Sequence, residues 1–129
     1  TVVCVNGNAY AGGAILASAA DFRVMRSDRG RFCFPEVNIK IPFSPVTNAI
    51  VQTLPNKQVL KNMMLTGVAH TGQECVDLHI VDAIYPVDSL QTAALDLART
   101  LASKDRRTYT TIRNLMRSDI RSHLNILTQ

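Results

Sequence analysis

The sequence is poor in cysteine and has no long apolar run. Cys4, Cys33 and Cys75 lie far apart without a C-x-x-C pair, which predicts free thiols in a reducing compartment. The histidines have no ligand spacing among themselves or with the cysteines, so no metal site is predicted. No apolar run reaches the ~18 residues of a membrane span. The N-terminal TVVCVNG lacks the basic and long apolar regions of a signal peptide, and we expect no membrane association.

What the sequence does contain is the composition of one globular domain. Of its 129 residues, 47% are hydrophobic and 19% are charged. The formal net charge of +4 favours an anionic partner. Predicted strands and helices alternate along the chain, which is typical of the α/β class.

Local patterns place the individual elements. The first predicted strand, 1–5, is apolar and rich in β-branched residues, and further strands are predicted at 22–26, 31–34 and 80–85. Apolar spacing predicts helices at 12–20 and 108–124. Further helices are predicted from a Ser44-Pro45 start, a stop before Gly67, a T-x-x-E capping box opened by Thr71, and Ser89 as the cap of a long amphipathic helix.

Two glycines stand where the first strand and its turn lead into an apolar helix. Amides at a helix start lack an intrahelical acceptor and point outward at the positive end of the dipole. Gly12 and Gly13 could therefore stabilise an oxyanion, and glycine allows a ligand to approach closely. The alternative, which the short motif alone leaves open, is a tight strand-to-helix turn with no ligand.

Glu36 lies in the apolar segment FCFPEVNI. Apolar surroundings penalise the charged form of a carboxylate, which suits a general base. The alternative is an exposed residue at a strand end. Asp21, between a predicted helix and a predicted strand, is interpreted as a turn or capping acid.

A basic stripe marks the last predicted helix, where Arg113, Arg117 and Arg121 recur every four residues. Such a stripe could bind phosphates or nucleic acid, or it could be a solvated helix face. No aromatic side chain interleaves with these arginines, which argues against a platform that stacks single-stranded bases. Nucleic acid is therefore not the expected partner.

Four segments together resemble the second half of the crotonase (enoyl-CoA hydratase/isomerase) superfamily. They are VNGNAYAGGAILASAADFRV, FCFPEV, LTG at 65–67 and IVDAIYPVDSL at 80–90. Their order and spacing are similar to the family from residue 1 to about residue 116. The resemblance implies an α/β, crotonase-like ββα spiral core over 1–86. It also implies a C-terminal helical region of the trimerisation type over 87–129.

The resemblance implies roles for single residues. Gly12 matches the family glycine whose amide donates to the thioester oxygen of an acyl-CoA, and Glu36 matches a family acid/base glutamate. The same comparison implies these substrate-binding positions: Gly13, Ile15, Phe34, Pro35 and Ile41. Coenzyme A is then part of the acyl-CoA substrate, and no separate cofactor is expected.

Departures from the family pattern narrow the expected activity. Family hydratases carry a second glutamate three residues after the oxyanion glycine, and that position here is Ile15. Isomerisation needs only one base, which removes a proton at one carbon and returns it two carbons away. A lone Glu36 therefore fits a Δ3,Δ2-enoyl-CoA isomerase of fatty-acid β-oxidation. Ala11 replaces the first of three usual glycines, and His79 stands where glycine is common.

Family members have roughly as much chain again before TVVCVNG. We therefore expect a fragment that is nearly inactive alone, self-associates and needs the missing N-terminal half. The family further implies a homotrimer or hexamer, in the peroxisome or the mitochondrial matrix. Two alternatives stay open: a hydratase or other crotonase-type enzyme, and a non-catalytic family member that binds RNA or protein.

Overall fold

The computed structural model describes residues 1–127, with side chains to residue 124, and it confirms the α/β class. Its strands are β1 Val2–Val5, β2 Ala9–Tyr10, β3 Phe22–Arg26, β4 Arg31–Cys33, β5 Ala69–Thr71 and β6 Ala83–Tyr85. Its helices are α1 Gly12–Ala19, α2 Glu36–Ile39, α3 Pro45–Val51, α4 Lys57–Thr66, α5 Gly72–Asp77, α6 Val87–Ala102, α7 Arg106–Met116 and α8 Ser118–Leu127. Within this described range, no helix is both long and apolar enough to cross a bilayer.

The strands form two small sheets. In the first sheet β3 lies between β1 and β6, and both neighbours run parallel to it. In the second sheet β4 lies between β2, which is parallel, and β5, which is antiparallel. Parallel neighbours need a crossover, which α1 provides between β1 and β3 and also between β2 and β4. Consecutive strands therefore alternate between the two sheets in the first part of the chain.

The main core is built by both sheets together with α1, α3, α4 and α5. Its largest buried side chains include Phe32, Phe34, Met25 and Met63. Burying one such side chain stabilises the fold by roughly 1.5–3 kcal/mol. A smaller cluster forms where α6 packs on the first sheet through Leu90. The start of α6 coincides with the predicted boundary after residue 86, and the division itself stays a prediction.

Three local signals in the sequence are confirmed. Ser44 caps α3, whose first residue is Pro45. Gly67 ends α4 in the left-handed conformation, with φ 73°. Thr71 and Glu74 form the reciprocal hydrogen bonds of a capping box at the start of α5. These signals act over three or four residues, so they can be identified without knowledge of the fold.

Two helix predictions are wrong. The last helix is not continuous, because the chain divides into α7 and α8 at Arg117, which has φ −114° and ψ 26°. The guanidinium of Arg117 donates to the carbonyls of Ala19 and Ala20 at the end of α1, a contact that no local pattern reveals. Ser89 is not the cap of α6, because that helix already begins at Val87.

The predicted strand that ends at Tyr85 is too long. Pairing begins only at Ala83, because the amides of Ile80 and Val81 both donate to the Cys75 carbonyl at the end of α5. Three elements are missed by the sequence: β2, β5 and α2. Each has only two to four residues, which is too short for a hydrophobic period to show.

His79 adopts a conformation that glycine favours. It follows α5 with φ 60°. The Ile80 amide donates to the Cys75 carbonyl at 2.8 Å, and the His79 amide donates to the Val76 carbonyl at 3.3 Å. These are the two bonds of a Schellman motif, in which glycine is the usual residue. His79, which stands where the family commonly has glycine, therefore has a left-handed backbone conformation.

Replacing His79 by glycine is expected to raise the free energy of unfolding by about 1 kcal/mol, since a side chain costs about this much in the left-handed region. His79 is exposed, so little packing is lost. Urea unfolding measures the effect. His79→Ala keeps the Cβ and is the matched control. A glycine variant no more stable than the alanine variant would contradict the prediction.

Candidate active site

Two residues singled out in the sequence follow neighbouring strand ends. β2 and β4 are parallel, with Tyr10 opposite Cys33. The Ala11 amide donates to the Cys33 carbonyl at 3.1 Å and extends this pairing by one residue. α1 begins with Gly12 just beyond β2, and α2 begins with Glu36 just beyond β4. Parallel strands end at one edge, so the two helix starts share the edge where ligands bind in many α/β proteins.

The start of α1 is open to ligands. Gly12 and Gly13 are exposed, and a Cβ added to either would meet no described atom within 4 Å. The free amides of the first turn therefore face an accessible surface at the positive end of the helix. Ala14 and Ala17 are buried in the core, which explains the apolar composition of α1 on that side. An oxyanion role for the glycines stays a prediction that this geometry permits.

Ala11 holds the backbone just before α1 in a strained conformation. Its φ of 50° and ψ of −118° lie in a region that side chains rarely adopt, at a cost of about 1–3 kcal/mol. The Ala11 carbonyl accepts the Ile15 amide at 2.9 Å, and the Ala11 amide is held by Cys33. Bonds on both sides thus fix the peptide that carries the Gly12 amide.

Glu36 is buried, with 6% of its surface exposed, so the alternative of an exposed strand-end residue is wrong. Its Oε2 has no hydrogen-bond partner among the described residues. Leaving a buried polar atom unpaired costs free energy, and most such atoms in folded proteins are paired. A buried polar atom that is kept in this state is a candidate for chemistry, because it does not stabilise the fold through a hydrogen bond of its own.

The segment just before Glu36 packs in an apolar part of the core. Phe34, two residues earlier, is fully buried, and its ring packs edge-to-face against Phe32 and Phe43 with centroids 5.7 and 5.9 Å away. Burial raises the pKa of the Cys33 thiol, and the negative charge of Glu36 raises it further. Burial of Glu36 strengthens any electrostatic contact that a substrate makes with its carboxylate.

The other predicted substrate-binding residues differ in accessibility. Ile15 is half-buried, packs against the core and lies one turn after Gly12 on α1. Pro35 is half-buried at the start of α2, and Ile41 beyond that helix is exposed. Phe34 is fully buried, so it can influence a bound substrate only by packing against other residues of the site. Contact of these residues with a substrate stays a prediction.

Asp21 is the residue whose role the sequence did not reveal. It lies in the turn after α1, yet its side chain is only 8% exposed. It accepts hydrogen bonds from the Tyr109 hydroxyl at 2.9 Å, Arg113 Nε at 2.6 Å and the Thr1 amino group at 2.6 Å. Burial alone would raise the pKa of Asp21. The hydrogen bonds from Thr1, Arg113 and Tyr109 outweigh burial and lower that pKa to about 2.

The basic stripe is therefore largely engaged within the chain. Arg113 and Arg117 both pair with Asp21, and Arg117 also donates to backbone carbonyls at the end of α1. Cations at a helix C-terminus complement the negative end of its dipole. Only Arg121 is exposed as a solvated face predicts. The four-residue spacing of the arginines indicated a shared helix face, but it did not identify Asp21, 92 residues before Arg113, as the partner of Arg113.

Comparison with known proteins shows what the chain is similar to. A family model described as enoyl-CoA hydratase/isomerase matches residues 1–128. The peroxisomal enoyl-CoA delta isomerase 2 of Arabidopsis thaliana is 33% identical over 107 residues, which cover 81% of this chain and 45% of that protein. The mitochondrial enoyl-CoA hydratase of Pongo abelii is 30% identical over 106 residues, which cover 81% of this chain and 36% of that protein.

Solved structures agree on the fold. A probable enoyl-CoA hydratase of Mycobacterium tuberculosis matches with a TM-score of 0.81 at 20% identity, over 88% of this chain and 48% of that one. This likeness confirms the fold that the sequence resemblance implied. The chain spans at most about half the length of these relatives.

Proposed function

Because the chain belongs to the enoyl-CoA hydratase/isomerase (crotonase) family, we propose that it moves a double bond from C3 to C2 of an enoyl-CoA. The observation that carries the proposal is Glu36, a buried carboxylate beside the strand end that leads into α1, whose Oε2 has no hydrogen-bond partner among the described residues. Family membership supports an acyl-CoA substrate. The single carboxylate supports isomerisation.

The residues of the chain take defined roles in this reaction. Glu36 removes a proton from C2, and the electron pair of the broken C–H bond passes into a dienolate. The Gly12 amide donates to the thioester oxygen, where the negative charge develops. Glu36 then returns the proton to C4, a double bond forms between C2 and C3, and the bond between C3 and C4 becomes single. The carboxylate is regenerated, so no second acid or base is required.

Ile15 favours isomerisation over hydration. It lies one helical turn after Gly12, where family hydratases carry their second glutamate. Hydration needs one group to activate water and another to protonate carbon, whereas an apolar side chain keeps water away from the enolate. Hydration is the second candidate, because one relative at 30% identity is named a hydratase.

The setting of the reaction is also proposed from relatives. One relative is named peroxisomal and another mitochondrial, which supports either organelle. We propose a homotrimer or hexamer in which further chain completes the coenzyme A site. Sedimentation of the intact protein tests the assembly.

Product analysis of the intact protein tests the activity. We expect a 3-enoyl-CoA to give the conjugated 2-enoyl-CoA, detected by its ultraviolet absorbance and by chromatography. We expect the same protein to give little 3-hydroxyacyl-CoA from a 2-enoyl-CoA. Hydration faster than isomerisation would overturn the proposal in favour of the second candidate.

Replacing Ile15 by glutamate is expected to introduce detectable hydratase activity, because it restores the second carboxylate one turn from Gly12. Formation of 3-hydroxyacyl-CoA from 2-enoyl-CoA is the measurement. Leu16→Glu is the matched control, since it adds the same charge to an exposed neighbouring position on α1. If a folded Ile15→Glu protein makes no more hydroxy product than the control, Ile15 does not line the reaction site.

A further inference from the structure

A large cavity lies at the opposite end of α1 from Gly12. It has a volume of about 630 Å³, is open to solvent on one side, and lies between the turn after α1 and the helices α3, α7 and α8. Small-molecule sites commonly measure about 300–1,000 Å³. α1 has eight residues and is therefore about 12 Å long. The cavity is thus separate from the strand ends that carry Glu36.

The walls of the cavity are mainly apolar. They include Phe22 of β3, Ala49 of α3, Ile112 and Met116 of α7, and Ile120 of α8. Met116 is 80% exposed, which leaves a large apolar side chain in contact with water. An alkyl chain in the cavity would remove such surface from water, which favours binding.

One guanidinium at the cavity has unused donors. Arg113 donates from Nε to Asp21, and its two terminal nitrogens make no hydrogen bond to any described residue. Its side chain is 34% exposed, so these donors are accessible. By contrast, the guanidinium groups of Arg23 and Arg117 donate hydrogen bonds to backbone carbonyls near the end of α1.

The charges at the cavity favour an anion with one negative charge. Three arginines line it against two aspartates, and the five residues are Arg23, Arg113, Arg117, Asp21 and Asp119. The excess of one positive charge matches a carboxylate, whereas a phosphate dianion would face repulsion from the two acids. The planar fork of a guanidinium also fits a carboxylate through two parallel hydrogen bonds.

We propose that this cavity binds an alkyl monocarboxylate, with its carboxylate on the terminal nitrogens of Arg113 and its chain along Ile112, Met116 and Ile120. The site lies apart from the proposed isomerase site and needs no acyl-CoA. A ligand here would bridge the turn after α1 and the two C-terminal helices, and so would tighten their contact.

Calorimetric titration of the intact protein with decanoate, below its micelle-forming concentration, tests the proposal. We expect saturable binding, and binding of decanol weaker by about tenfold or more, because the alcohol lacks the charge-assisted bonds. Arg113→Lys keeps a positive charge beside Asp21 but loses the fork, and should weaken decanoate binding by a similar factor. Ala49→Phe fills the cavity without touching Arg113 and should abolish binding.

Glu36→Gln is the control for the other site and should leave decanoate binding unchanged. Thermal melts confirm that each variant is folded. The proposal is overturned if decanoate does not saturate, if decanol binds equally well, or if Ala49→Phe binds as tightly as the unmodified protein. Loss of decanoate binding on saturation with an acyl-CoA would also overturn it, since the fatty acid would then occupy the proposed isomerase site.

Discussion

We expect replacement of Glu36 by glutamine to lower the proposed isomerase turnover of the intact protein by about 10²–10⁴-fold, the contribution typical of a positioned acid–base group. The amide keeps the size of the side chain but cannot accept the C2 proton. The melting temperature should not fall, because Oε2 makes no hydrogen bond to a described residue that could be lost. A steady-state assay with a 3-enoyl-CoA measures the loss.

The matched control for this prediction is Glu74→Gln, the same change at the other glutamate of the chain. Glu74 is exposed and caps α5, so its replacement should cost some stability and leave turnover unchanged. Near-normal turnover in Glu36→Gln, or equal losses in both variants, would remove Glu36 from the mechanism. The proposed cavity ligand is unaffected by either result, since its binding is measured without turnover.

Replacement of Asp21 by asparagine is the change with the largest expected effect on stability. It leaves Arg113 and Arg117 without their buried partner, and removing one member of a buried ion pair costs about 3–5 kcal/mol. Arg113 keeps partial contact with solvent, which lowers our expectation to about 2–3 kcal/mol. Urea unfolding at neutral pH measures the difference. A loss no larger than that of Asp28→Asn, an exposed aspartate paired with Arg26, would contradict the prediction.

The effect of Asp21 should also depend on pH. In the folded 129-residue chain, where the Thr1 amino group is one of its donors, the pKa of Asp21 is about 2, lower than the ordinary value near 4, so the folded state of this chain favours the charged form. The stability that it contributes is therefore fully present above pH ~4 and disappears as the pH falls through about 2. Unfolding of the Asp21→Asn variant and of the unmodified protein should converge over this range. If the difference in unfolding free energy between the variant and the unmodified protein stayed constant down to pH 2, the lowered pKa of Asp21 would not be the source of its stabilising effect.

Much of the fold was accessible from short patterns. Ser44 and Thr71 act on amides within three residues, and Gly67 acts on the turn that it follows, so each could be recognised locally. The break at Arg117 could not be recognised locally, because the side chain of Arg117 binds carbonyls near residue 20, far away in the chain. β2 and β5 are strands only because β4 lies between them, and two or three residues carry no period of their own.

The candidate site could be predicted from the sequence only in part. Glu36 was identified by its apolar neighbours, and burial follows from those same neighbours. The lack of a hydrogen-bond partner for its Oε2 was not predictable, since it depends on which donors the surrounding described elements place near the carboxylate. Asp21 lies in a turn as the sequence predicts, but its ion-pair network was not predictable, because its partners Tyr109 and Arg113 lie 88 and 92 residues away in the chain. Ala11 and His79 were noted as departures from glycine, and both turn out to have positive φ.

The order of strands in the first sheet has a consequence for how the chain assembles. β1 meets β3 across a short separation, since Val2 pairs with Phe22, 20 residues later (22 − 2). β3 meets β6 across a long one, since Val24 pairs with Ala83, 59 residues later (83 − 24). Closing the longer loop costs about 1 kcal/mol more in chain entropy. The unit β1–α1–β3 can therefore form early, while β6 and α6 wait for the segment between them. During that interval one edge of β3 is unpaired, and we expect this edge to be open to pairing with a wrong strand in a nascent chain.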